Sequence, residues 1–79
     1  MDIKVYGTQW CPDCKRSKQI TRRTPRRYEW TDISEDEAAA DLVRSMNNGR
    51  RTTPTIVFQD GSWLAEPSND DLVRKLRLP

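Results

Sequence analysis

The chain has 79 residues and a formal net charge of +2, which is enough for one domain and leaves no room for a second. Charged residues make up 33% and apolar residues 34%; the apolar ones fall in clear runs, so the composition excludes a disordered polypeptide. Histidine is absent, which removes Cys–His dyads, Ser–His–Asp triads and every His-containing metal site.

Ile3, Val5 and Tyr6, stopping at Gly7, predict a buried first strand over residues 2–7. No basic start and apolar region of a secretion signal precede it, and no later stretch approaches the roughly 20 apolar residues of a membrane span. The expected setting is therefore the cytoplasm, without membrane attachment. After the strand comes Gln9-Trp10-Cys11-Pro12-Asp13-Cys14, which holds both cysteines of the chain. A C-x-x-C where a strand gives way to a helix marks a thioredoxin-like redox site, although the same spacing also serves zinc. One pair supplies only two of the four thiolates of a structural zinc, so a metal site would need a dimer. A loop this short constrains the unfolded chain little, so the pair is poorly placed as a structural staple.

Pro12 suits the first turn of a helix, where its missing N–H costs nothing, and Pro25 ends that helix at about Thr24. Its inward face is thin: Cys14, the stem of Lys18 and Ile20. From Cys11 to Arg27 the chain carries +6 and elsewhere −4, which predicts a basic face on the cysteine side. Such a run is first a solvated helix face. A functional version would dock an acidic protein or an anionic thiol. Nucleic acid is not an expected partner, because no aromatic stripe accompanies the cations.

Tyr28 through Ile33 alternates as a second strand. Ser34-Glu35-Asp36-Glu37 reads as a capping box with Ser34 as N-cap, opening a helix whose buried stripe is Ala39, Leu42, Val43 and Met46. Asn47-Asn48-Gly49 stops it. Thr55–Phe58 and Trp63–Ala65 form a hairpin around Asp60-Gly61. Ser68 then caps a last helix, with Asp70 and Asp71 in its first turn and Lys75 and Arg77 in its last. Leu72, Val73 and Leu76 form its inward face. The order β-α-β-α-β-β-α predicts an α/β fold: a four-stranded mixed sheet, with its first two strands parallel, flanked by helices.

This order, together with Trp10-Cys11-Pro12-Asp13-Cys14, Tyr28–Ile33, Arg51-Thr52-Thr53-Pro54-Thr55 and Asp60-Gly61-Ser62, resembles the glutaredoxin branch of the thioredoxin fold over the whole chain. Within that branch, Asn48 through Thr55 with Pro67-Ser68 looks most like the mycoredoxins; the nearest rival is the class of redoxins that serve ribonucleotide reductase. The resemblance implies a thiol–disulfide oxidoreductase, a monomer with no tightly bound cofactor. Its partners would be oxidised or thiolated proteins and a low-molecular-weight thiol, mycothiol or glutathione. In the rival reading, a flavoprotein reductase supplies the electrons. The third alternative is a non-enzymatic, metal-bridged or interaction module. Where glutathione-binding relatives carry a Gly-Gly pair before the last helix, this chain reads Glu66-Pro67-Ser68-Asn69-Asp70. Thr21 and Arg26 likewise replace residues that are commonly aliphatic.

The expected catalytic pair is Cys11, attacking from the edge of a helix whose free N–H groups and dipole favour an anionic sulfur, and Cys14, more buried and resolving. Lys15 and Arg16 would add positive charge beside Cys11. By resemblance Pro54 is a cis proline, presenting the Thr53 backbone to substrate. Trp10 and Pro12 would supply contact surface. Ser68 and Asn69, with the free N–H groups of the last helix, would receive a carboxylate, assisted by Arg50 or Arg51. Trp30 and Trp63 are expected to be sheet and edge packing.

Overall fold

A computed structural model describes residues 3–78. The first strand, β1 (Ile3–Gly7), decides the two faces of the sheet. Its side chains alternate, so Ile3 and Val5 point to one face and Tyr6 to the other. β2 (Tyr28–Asp32) lies parallel to β1, with Ile3 opposite Tyr28 and Gly7 opposite Asp32. β3 (Thr55–Phe58) runs antiparallel on the other side, with Val5 opposite Ile56, and β4 (Trp63–Ala65) completes the order β2-β1-β3-β4. The expected mixed sheet is therefore present; Asp2, included in the expected first strand, lies outside the described residues.

Helices cover both faces. α1 (Pro12–Thr21) and α3 (Asn69–Leu76) pack side by side over Ile3, Val5, Ile56 and Phe58, with Leu72 fully buried among them. α2 (Glu37–Met46) covers the opposite face, setting Ala39, Ala40 and Val43 on Tyr6 and Ile33. Each fully buried aliphatic side chain is worth about 1.5–3 kcal/mol, so these two clusters supply most of the driving force for folding.

Four local expectations need correction. α1 ends at Thr21 rather than Thr24, because Arg22 caps it and the next bonds are tight turns: Arg23 N–H to the Ile20 carbonyl at 3.0 Å and Thr24 N–H to the Thr21 carbonyl at 3.3 Å. Its buried face is Cys14, Ser17 and Thr21; Ile20 is only half-buried. The N-cap of α2 is Asp36, whose Oδ1 accepts the Ala39 N–H at 3.0 Å. Ser34 lies three residues before the first helical residue, Glu37, and its hydroxyl and N–H instead donate to Asp32 Oδ1 in a turn that follows β2. Leu42 is 44% exposed: the inward arc of α2 is centred on Ala39, Ala40 and Val43, and Leu42 falls at its rim, beside an open groove shared with Met46 and Trp63.

Two element ends also shift by one residue: β2 stops at Asp32, before Ile33, and α3 stops at Leu76, so Arg77 is its left-handed C-cap and Arg74 and Lys75 are the cations of its last turn. The hairpin and the cap of the last helix hold. Gly61 adopts φ +86° in the hairpin turn, and Asp60 accepts from the Ser62 N–H, the Ser62 hydroxyl and, at 3.0 Å, Lys75 of α3. Those bonds, the Ser62 hydroxyl first, hold the Asp60 carboxyl well below the usual carboxylate range. Ser68 caps α3 in a reciprocal box with Asp71. Among the described residues no helix is long and apolar enough to cross a membrane.

Candidate redox site

The two cysteines occupy different environments because the helix begins between them. Cys11 is the N-cap of α1, with extended backbone (φ −88°, ψ 112°), and Pro12 is the first helical residue. Cys11 Sγ does what a serine or aspartate oxygen does at other N-caps: it accepts the Cys14 N–H, at 3.1 Å. The Thr53 hydroxyl, from across the sheet, donates to the same sulfur at 3.8 Å. Cys11 is half-buried, whereas Cys14, one turn further in, has no exposed surface. Burial, reinforced by the hydrogen bond and charge of Cys11, pushes the Cys14 thiol up to about 12 from an ordinary 9.0; the Thr8 backbone and the Thr53 hydroxyl oppose the shift.

Close approach makes the Cys14 pocket. A Cβ on Gly7 would lie 2.6 Å from Cys14 Sγ and 2.8 Å from the Trp30 ring, so the last residue of β1 must be glycine. The Lys18 ammonium sits over that ring, 4.1 Å from its centroid. Trp30 is thus sheet packing, as expected, and also one wall of the Cys14 pocket. Trp63 is 40% exposed on the edge strand.

The peptide bond between Thr53 and Pro54 is cis, and Pro54 is buried. Its carbonyl accepts the Glu66 N–H at 2.8 Å, which draws the approach to α3 alongside the cysteine loop. Cys11, Cys14, Thr53 and Pro54 therefore converge. Trp10 stands beside them at 71% exposure, and Pro12 is exposed on the first turn of α1. The remaining candidates are engaged elsewhere. The Ser68 hydroxyl accepts the Asp71 N–H at 3.1 Å, and Arg51 donates to the Ile33 carbonyl at 3.4 Å. Asn69 Oδ1 accepts from Arg16 at 2.6 Å.

The need for Gly7 and the contact of Arg16 with the start of α3 are what sequence reasoning missed. The contact from Arg16 spans 53 residues, so only its i,i+3 spacing from Asp13 was readable beforehand. Nor does the basic run gather at the cysteines. Arg22 donates to the Tyr28 hydroxyl and the Arg27 carbonyl accepts the Ile3 N–H, so the segment from Arg22 to Arg27 lies at the end of the sheet away from Gly7. Among the described residues no group of three or more Cys, Asp or Glu side chains is placed to hold a metal ion. A half-buried sulfur that accepts two hydrogen bonds, backed by a buried thiol one turn away, is equipped for thiol–disulfide exchange.

Known proteins agree with this geometry. A family model described as Glutaredoxin matches residues 3–63. A Mycobacterium tuberculosis protein whose name assigns it to the glutaredoxins is 42% identical over 74 residues, covering 94% of this chain and 88% of its own. Mycoredoxin 1 of Corynebacterium glutamicum is 29% identical over 75 residues, covering 95% and 92%. Among solved structures, the T8A mutant of the thioredoxin-like protein BC3987 superposes with a TM-score of 0.79 at 29% identity, over 95% of this chain and 97% of that one. This chain belongs to the glutaredoxin family, the thiol–disulfide oxidoreductases of the thioredoxin fold.

Proposed function

We propose that the chain reduces mixed disulfides between proteins and a low-molecular-weight thiol, mycothiol or glutathione, as a single-domain monomer in the cytoplasm. The observation that carries this reading is the inequality of the two sulfurs: Cys11 is reachable and accepts two hydrogen bonds, while Cys14 is fully buried and held protonated. Cys11 attacks the small-thiol sulfur of the mixed disulfide and the protein thiolate leaves. The new Cys11 mixed disulfide is opened in one of two ways. A second small thiol can attack it, forming the oxidised small disulfide and returning the electron pair to Cys11. Alternatively Cys14 can attack Cys11, releasing the small thiol and leaving a Cys11–Cys14 disulfide to be reduced later. Thr53 and the cis Pro54 line the approach, with Trp10 and Pro12 as contact surface and the start of α3, at Ser68 and Asn69, beside them. Likeness to mycoredoxin 1 across most of both chains favours mycothiol.

The test is a pair of variants. Cys11→Ser is expected to abolish reduction of a thiolated protein, whereas Cys14→Ser keeps part of it, because only Cys11 must attack. Equal and complete loss in both would point to a dithiol mechanism. A second reading, in which a flavoprotein reductase feeds the site and protein disulfides are the substrate, is favoured by Glu66-Pro67-Ser68-Asn69-Asp70 standing where a Gly-Gly pair would be expected. Faster reduction by NADPH and thioredoxin reductase than by mycothiol or glutathione would select it.

A further inference from the structure

The basic run that the redox site leaves unused has a place of its own. The Arg27 carbonyl accepts the Ile3 N–H at 3.2 Å, and Ile3 lies opposite Phe58, at the end of the sheet remote from the cysteines. The hairpin then turns at Asp60, whose carboxylate holds Lys75, in the last turn of α3, at 3.0 Å. These contacts bring Arg22, Arg23, Arg26 and Arg27 to the same end of the molecule as Lys75 and Arg77. Arg26, Lys75 and Arg77 line one open cleft there, of about 360 Å³, with Phe58 and Leu76 as apolar walls. Arg26 and Arg77 are exposed, and neither guanidinium has a hydrogen bond or ion pair among the described residues.

We propose that this end of the molecule docks an acidic surface of a partner protein, while Cys11, at the opposite end, stays free to react. The balance of charge is one-sided. Asp60 is the carboxylate that lines the cleft, and Ser62 and Lys75 already donate to it. Glu29 stands opposite Lys4 in the sheet, so these two add no net charge. The C-terminal ends of α1 and α3 contribute roughly half a negative charge each. The cations outnumber all of these groups, and Asp2, outside the described residues, would not reverse the balance. Trp10 and Trp63, the exposed aromatic side chains among the described residues, stand beside Cys11 and opposite Val57 on the other face of the sheet. This end therefore offers no stacking platform for nucleic acid bases. Leu42, the other large apolar side chain that is exposed, belongs to α2, so nothing here inserts into a lipid surface. Planar guanidiniums pair with carboxylates through two parallel bonds, and the apolar walls suit the methylene groups of a glutamate. The proposal holds whichever thiol or reductase serves Cys11.

The probe is a polyglutamate peptide titrated into isotopically labelled, reduced protein at low salt, where surface charges are least screened. Amide shifts are expected at residues 22–27 and 74–77, and not at residues 10–14. Arg26→Gln combined with Arg77→Gln is expected to weaken binding about tenfold, the scale of two unit-charge contacts near water. Lys15→Gln combined with Arg50→Gln removes the same charge at the cysteine end, and is expected to change binding less than about twofold. Turnover of hydroxyethyl disulfide is expected to be the same in the Arg26/Arg77 variant as in the native protein. Equal losses in the two double variants would reduce the binding to net charge and overturn the proposal. Shifts confined to the cysteine end, or no binding, would overturn it as well, and this map needs no variant to fold. Tighter binding of a single-stranded oligonucleotide or of phosphatidylserine vesicles through the same residues would assign the end to another polyanion and sink the protein reading.

Discussion

α1 and α2 each contain ten residues and lie on opposite faces of one sheet, yet they are held by different means. α2 buries Ala39, Ala40 and Val43 against Tyr6 and Ile33, an apolar seam whose strength grows with area. α1 buries Cys14, Ser17 and Thr21, small side chains that bring little apolar area. It is held instead by fits and single bonds: Cys14 against Gly7 and Trp30, Lys18 over Trp30, and Arg16 to Asn69. A helix that carries a buried thiol gives up hydrophobic surface at that position. The difference locates the stability of the domain on the α2 face and in the strands, and its chemistry on the helix with the least apolar support.

Breaking the α1 fit is expected to have the largest effect. Gly7→Ala puts a methyl group between the Cys14 sulfur and the Trp30 ring and should cost about 1–3 kcal/mol in urea unfolding. It should also slow formation of the Cys11–Cys14 disulfide, as a shift in stability without a change in disulfide kinetics would refute the packing account. A matched pair sharpens the contrast between the helices. Val43→Ala opens a cavity in the apolar seam and should lose about 2 kcal/mol, whereas Ser17→Ala removes a hydroxyl buried without a partner and should gain about 1 kcal/mol. Two losses of similar size would mean that α1 is packed like α2.

A further effect appears only in alkaline solution. The folded protein holds Cys14 protonated up to about 12, while the unfolded chain releases that proton near 9.0. Stability from this group is therefore fully present below pH 9 and falls as pH rises from about 9 towards 12, because the unfolded state binds fewer protons over that window. The reduced native protein should lose stability across it more steeply than Cys14→Ala, by denaturant unfolding at each pH. Parallel curves would show that Cys14 titrates normally.

Signals that act within a few residues were legible in the sequence. Pro12 opening α1, the Asp60-Gly61 hairpin and the Ser68 cap are each decided by local backbone chemistry, and each stands where expected. The start of α2 was misread because Ser34 and Asp36 both qualify as caps, and the choice turned on Asp32, which engages Ser34 from the strand before it. Leu42 was misplaced because helical spacing tells which residues share a side of a helix, while the width of the surface beneath depends on β4, three residues long. At the site, the cysteines and the Thr-Pro pair were readable as motifs. The reach of Arg16 and the need for Gly7 were not, since both depend on contacts between elements remote in the chain.

The burial of Cys14 has a further consequence for how the protein withstands oxidants. A peroxide meets Cys11 first, and the product is a sulfenic acid on the half-buried sulfur. Cys14, whose N–H already touches that sulfur, can condense with it to a disulfide and release water before a second oxidant converts it to the irreversible sulfinic acid. The inner thiol then serves as a reserve that a reductant can restore, kept out of reach of the same reagent until the outer one has reacted.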